Sequence, residues 1–164
     1  MRIRSLQVCL VAIMMVCAAG QVLAFDSGPK PSQRPAPAAS APQDPLAAAR
    51  GFIANKDWPR AIASLNDLTA KEPNNADAFN LLGFSQRNAG DIPAALASYD
   101  KALAINPNHK GAHEYRGETY LKMNDLPKAQ AEQARLRSLC PQGCEELDDL
   151  NKAIGAYQKA KPGK

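Results

Sequence analysis

The apolar positions of this chain fall into three regimes. Val8 to Ala19 is a run of twelve residues without a charge, preceded by Arg2 and Arg4 and followed by Val22-Leu23-Ala24. Residues 26–45 carry almost no large apolar side chain and six of the 13 prolines. From Leu46 onward, apolar residues recur at spacings of three and four, the period of helices that bury one face.

Residues 76–109 show the helical pattern most clearly. Ala78, Phe79, Leu82, Gly83 and Gln86 fall on one face of a first helix. Asn88-Ala89-Gly90-Asp91 ends it: Gly90 suits a left-handed C-terminal residue, and Asp91 suits the cap of the next helix. Pro93 then lies in a first turn, where its missing N–H costs little. Ala95, Leu96, Tyr99, Ala102 and Leu103 form the buried stripe of a second helix, which Asn106-Pro107-Asn108 stops. The small residues Gly83, Ala95 and Ala102 let the two helices approach closely. The unit is an antiparallel hairpin with one face left to stack on a neighbour.

That unit recurs. Asp57, Asp91 and Asp125 are spaced by 34, as are Pro59, Pro93 and Pro127; Ala61, Ala95 and Ala129; and Pro73, Pro107 and Pro141. Four columns in register over three copies mark stacked supersecondary units, here 42–75, 76–109 and 110–143. On these residues the chain resembles the tetratricopeptide repeat: Phe79, Leu82-Gly83, Ala95, Tyr99, Ala102 and Pro107 meet that family's pattern. The third copy matches at Gly117, Tyr120, Ala129 and Pro141 and departs at His113, Arg116 and Gln133. The first keeps Phe52, Ala61, Leu65, Leu68 and Pro73 but has Pro45 and Ala49 in its early columns, so its first helix is predicted to start at an Asp44 cap.

Glu145 to Lys159 reads as a solitary capping helix with Leu147, Leu150, Ala153, Ile154 and Tyr157 on its apolar stripe. The predicted fold is therefore all-α, an α-solenoid of three hairpins over 45–143 plus a C-terminal capping helix over 144–160. The resemblance implies a shallow right-handed arc whose first helices line the concave side. It also implies a groove for a protein or peptide partner, into which Arg50 and Ile53, then Asp77, Asn80, Phe84, Arg87 and Asn88, then Glu114, Glu118, Leu121 and Lys122 would point. Phe84, flanked by Asn80 and Arg87, is the expected aromatic anchor; the alternative is that it packs against a neighbouring repeat. Members of the family that bind chaperone tails use a Lys, Asn and Arg clamp, whose columns here hold Leu46, Arg50, Leu81, Gly111 and Tyr115. Recognition of such acidic tails is not implied.

Composition narrows the reading. In 164 residues, 5% are aromatic and the formal charge is +4; from Phe25 onward 18 Lys and Arg face 16 Asp and Glu. That near balance gives no electrostatic reason to bind nucleic acid. The basic start, short apolar run and small-residue exit predict a secretory signal over 1–24, cut between Ala24 and Phe25. Retention as an anchor is the alternative, although the run falls short of the ~20 apolar residues a span needs. Acylation at Cys17 is disfavoured by Val16. After cleavage no stable membrane insertion is expected, and the chain would reside in the periplasm or be secreted. Residues 25–44 read as a disordered, Pro- and Ala-rich linker, or else as a Pro-rich ligand.

Export leaves Cys140 and Cys144 as the mature cysteines, most simply a disulfide that staples the cap to the last repeat. A redox-active pair is the sharper alternative, weakened by a spacing of three intervening residues rather than two. His109 and His113 are four apart, yet one falls in a loop and the other in a core column, so no metal is expected. Nucleophile-elbow, phosphate-loop and zinc-protease motifs are missing, and no enzyme activity or cofactor is expected. The expected function is a non-catalytic adaptor; the alternatives are a redox accessory protein using Cys140 and Cys144, or a self-associating structural subunit of an envelope complex. The sequence leaves the oligomeric state open.

Overall fold

The computed structural model describes residues 44–160. The expected signal segment, its cleavage point and the linker up to Gln43 lie outside the described residues. Among those described, the chain forms seven helices and no strand: α1 (Ala47–Ala54), α2 (Trp58–Lys71), α3 (Ala76–Ala89), α4 (Ile92–Ile105), α5 (Lys110–Lys122), α6 (Leu126–Leu139) and α7 (Glu145–Ala160). Each helix packs mainly on those adjacent in the chain, α7 on both α5 and α6. The result is the expected helical solenoid of three hairpins and a final helix. None of the described helices is long and apolar enough to cross a membrane.

One device starts every second helix. The carboxylates of Asp57, Asp91 and Asp125 accept the backbone N–H of Arg60, Ala94 and Lys128 at 3.2, 3.1 and 3.2 Å. A proline stands in each first turn. The residue before each cap is left-handed: Lys56 has φ 55°, Gly90 φ 94° and Asn124 φ 62°. Only Gly90 is marked in the sequence, because the other two copies hold that backbone with side chains. Ahead of α1, Asp44 accepts the N–H of Leu46 at 2.9 Å through its side chain and that of Ala47 at 3.0 Å through its carbonyl. The Asp44–Leu46 segment is thus a turn, and α1 begins at Ala47, later than an Asp44 cap predicts.

Between the helices of a hairpin the packing is close. Ala61, Leu65, Ala95, Tyr99, Ala102, Ala129 and Leu136 are completely buried. A Cβ on Gly83 would stand 2.6 Å from Tyr99 Cε1 and 3.0 Å from the Ala95 carbonyl oxygen, so only glycine lets α3 lie on the Tyr99 ring. In the third repeat Gln133 replaces that tyrosine, and the space beside Gly117 is taken by Leu150 of α7, 2.8 and 2.9 Å from a Cβ built there.

The three departures of the third repeat each find a polar partner. His113, buried in the aromatic column, places Nδ1 2.7 Å from Glu132 Oε2 and Nε2 3.0 Å from the Pro107 carbonyl oxygen. Arg116 donates through Nε to Glu132 Oε1 at 2.9 Å and through a terminal nitrogen to Asp100 at 2.6 Å. Gln133 donates to Asn151 Oδ1 of α7 at 2.6 Å. Glu132 is itself buried, so one carboxylate on α6 meets both His113 and Arg116 of α5.

The Cys140 and Cys144 sulfurs are paired across the turn between α6 and α7, with Cα atoms 6.0 Å apart, inside the usual range for a bridge. Cys140 caps α6 and Cys144 directly precedes α7.

Candidate functional site

Of the eleven expected groove residues, α3 carries Asn80, Phe84 and Arg87 and α5 carries Glu114 and Glu118 close to one another. Phe84 is half-buried, its ring 6.1 Å edge-on from Trp58 and 5.0 Å from Tyr115. The Arg87 guanidinium lies 5.4 Å from the Phe84 ring centre and 5.3 Å from that of Tyr115, and it ion-pairs with Glu118. Phe84 therefore touches the repeats on both sides of its own while leaving part of its ring in the groove. A cation between two aromatic faces and a carboxylate is held in one geometry. Tyr115 falls in one of the family's clamp columns, whereas Trp58 carries no groove signature in the sequence and is placed there only by the packing of α2 beside α3.

Asn80 and Glu114 occupy one column, a repeat apart. Each is more than nine-tenths buried, with 7% and 8% of its surface exposed. The Asn80 carboxamide lies against α5 at Gly111, its Nδ2 3.3 Å from where a Cβ would be, and its Oδ1 has no hydrogen-bond partner among the described residues. Burial, reinforced by the Glu118, Asp149 and Glu146 charges, pushes the Glu114 carboxyl up to about 8 against the pull of Arg87. Tyr115 is likewise raised, mainly by burial and the neighbouring Glu114.

Other expected residues lie elsewhere. Arg50 is exposed in the first hairpin and pairs with Asp44 at 3.4 Å. Leu121 is buried in the core shared with α7, while Lys122 and Asn88 are exposed and Asp77 keeps most of its carboxylate in solvent. The columns of the chaperone-tail clamp have structural roles: Leu46 packs into the first core cluster and Gly111 makes room for Asn80. His109 and His113 are separated in function as well as in place. His109 Nδ1 accepts the Ala112 N–H at 3.1 Å as the cap of α5, which leaves Nε2 to donate to Asp77 at 3.0 Å. Among the described residues no group of three His, Cys, Asp or Glu is placed to hold a metal ion.

Two sequence models, both described as tetratricopeptide repeat, match residues 46–110 and 87–142 and so run through most of the described fold. The chain belongs to the tetratricopeptide-repeat family. No curated protein matches the sequence. Among solved structures, the chain is similar to the TPR2B domain of yeast Sti1 in a pHsp70 complex, with TM-score 0.65, 13% identity, and 71% of this chain and 95% of that one covered. It is similar to PcrH in complex with the chaperone-binding region of PopD, with TM-score 0.63, 19% identity and coverages of 71% and 90%. A thermophilic TPR protein of Thermus thermophilus gives TM-score 0.61, 21% identity and coverages of 74% and 67%. At these identities the likeness shows the fold.

Proposed function

We propose that the protein is an exported, non-catalytic adaptor that binds a segment of another protein along the inner face of α3 and α5. The observation that carries this reading is the Trp58–Phe84–Tyr115 series with Arg87 between the last two rings. Rigid aromatics and a fixed guanidinium supply contact area at little entropic cost, the combination that anchors peptides. Two of the similar structures, the Sti1 domain with pHsp70 and PcrH with the PopD segment, are complexes with a bound partner. Export rests on the N-terminal signal pattern. In an oxidising compartment the Cys140–Cys144 pair then serves as a covalent staple between α6 and α7.

The test is photo-crosslinking in the host cell. A photoreactive residue at the exposed first-helix positions Asp77, Asn88 and Lys122, which flank the ring series in sequence, should yield a discrete adduct. The same residue at Asp67 and Lys101 on second helices should not. Equal adducts from both sets, or none from either, would remove the groove as the binding surface. Sequencing the N-terminus of the purified protein checks export: Phe25 supports it, and Met1 retained on a cytoplasmic protein ends it.

A further inference from the structure

The two histidines of the chain stand at the joint between the second and third repeats, and they are bound in opposite ways. His113 meets acceptors on both sides. Its Nδ1 faces Glu132 Oε2 at 2.7 Å, and its Nε2 faces the Pro107 carbonyl oxygen at 3.0 Å. Glu132 is held as a carboxylate by Arg116, which grips it through Nε at 2.9 Å and through a terminal nitrogen at 2.7 Å. A neutral imidazole carries one N–H, so either tautomer of His113 would set a nitrogen lone pair against an oxygen. Turning the ring over would present carbon to both oxygens. With 6% of the residue exposed, solvent offers little relief. The imidazolium alone satisfies both contacts.

His109 makes the reverse demand. Its Nδ1 is bare to accept the Ala112 N–H at 3.1 Å, while Nε2 keeps the proton it donates to Asp77 at 3.0 Å. A second proton, on Nδ1, would meet that amide head-on and undo the cap of α5. The second repeat fills the same columns with groups that do not titrate. There Asn75 caps α3 by accepting the Ala78 N–H at 3.0 Å, and Phe79 and Ser98 stand where the third repeat has His113 and Glu132. The demand for a defined number of protons thus enters with the third repeat.

We propose that this joint is a proton latch, closed when His113 is the imidazolium and His109 is neutral. Base takes a proton from His113 and frees the Pro107 carbonyl, leaving it the Arg135 guanidinium at 3.5 Å. Acid adds a proton to His109 and frees the start of α5. Either change loosens the 106–109 loop, from which His109 reaches Asp77 on α3, the helix that carries Phe84 and Arg87. The charged groups around the two rings are Glu132 and Arg135 on α6, Arg116 and Glu114 on α5, Asp100 on α4 through Arg116, and Asp77 on α3. In overall stability the two demands have opposite signs: His109 loses its contribution as pH falls, and His113 as pH rises. They largely offset there, so the latch is read locally. It stands apart from the adaptor reading and, where that reading holds, makes the groove sensitive to pH in both directions.

Uniformly 15N-labelled protein is titrated from pH 5 to pH 9 and followed by NMR. A Glu114→Gln background keeps the neighbouring carboxyl, at about 8, from moving in the same range. At pH 7 the ring spectra should show one imidazolium and one neutral Nε2–H tautomer. His109→Asn, which copies the Asn75 cap, should leave the imidazolium as the one remaining ring. The Ala112 amide should shift in a step on the acid side, and the Asn108 amide, part of the Pro107 peptide group, in a step on the base side. His109→Asn should erase the first step. Glu132→Gln should erase the second and return His113 to a neutral ring, because a carboxamide there donates to Nδ1 while Nε2–H keeps the Pro107 carbonyl. A bare nitrogen on the remaining ring of the His109→Asn variant at pH 7, or an Asn108 step that survives Glu132→Gln, would overturn the latch. Should Glu132→Gln unfold the repeat, the ring spectrum of the His109→Asn variant decides by itself. Neither result bears on the adaptor reading, which the crosslinking tests.

Discussion

Glu132 stands 2.7 Å from His113, and the same carboxylate receives Arg116 at 2.9 Å. In the second repeat the corresponding residues are Ser98, Phe79 and Leu82, two apolar side chains and a hydroxyl that donates to Gln86 at 2.7 Å. The third repeat has exchanged three side chains as a set. A buried carboxylate held by an arginine and a histidine is costly to break and inexpensive to replace whole.

Replacing Glu132 alone with Ser should therefore cost roughly 3–5 kcal/mol, since His113 and Arg116 lose their shared partner. The triple change His113→Phe, Arg116→Leu and Glu132→Ser, which copies the second repeat, should recover most of that loss. Urea unfolding of the single and triple variants checks it; additive losses would show that the three residues are not coupled.

The left-handed column gives a prediction of opposite signs at equivalent sites. Lys56 holds φ 55° with a side chain, and Gly90 holds φ 94° without one. Lys56→Gly should raise stability by about 0.5 kcal/mol, while Gly90→Ala should lower it by about 1–2 kcal/mol. Thermal melts of the two variants at one pH are sufficient.

Glu114 links stability to pH. Its folded carboxyl lies at about 8 against an ordinary 4.5, so between those values the folded chain keeps a proton that the unfolded chain releases. Folding stability should fall as pH rises through that window and stay flat above it, by a few kcal/mol in total. Glu114→Gln should be nearly indifferent over the same range. A difference in urea midpoint between wild type and variant that grows from pH 5 to pH 8 is the expected result; a constant difference would refute it.

Loss of the staple should loosen one end of the molecule first. Cys140→Ser with Cys144→Ser opens a five-residue loop, for which the chain-entropy argument gives about 2 kcal/mol. Amide exchange should quicken in α7 and at the end of α6 while α3 and α4 keep their protection. Uniform acceleration across all helices would mean the pair does not act locally. A redox accessory role predicts instead that the bridge cycles in the cell, which thiol trapping before and after oxidant exposure would reveal.

The hairpins were legible in the sequence because their determinants are local. Asp91 before Pro93, Gly90 before Asp91 and the Ala and Tyr99 stripe each act within a turn or two of where they stand, and the 34-residue period multiplied the signal. The departures at His113, Arg116 and Gln133 were visible as departures, but their partners Glu132, Asp100 and Asn151 lie 16 to 19 residues away, on other helices. A glutamate in the column that otherwise holds Ser64 and Ser98 was the one available hint. The groove was legible only as a set of columns borrowed from the family pattern. That pattern named Asn80 and Glu114 but gave no sign of their burial; it marked Tyr115 only as a clamp column and passed over Trp58, whose role depends on how far one repeat is rotated against the next.

Leu150 fills the space beside Gly117 that Tyr99 fills beside Gly83, and Asn151 takes the Gln133 amide. The last helix is thus cut to fit one particular neighbour. A second repeat moved into third place would present a tyrosine ring where Leu150 now lies and a phenol where Asn151 expects an amide. The backbone of this array repeats freely, yet its side chains carry an address for each position. Length changes by whole-repeat duplication or deletion would therefore succeed ahead of residue 110 more readily than behind it.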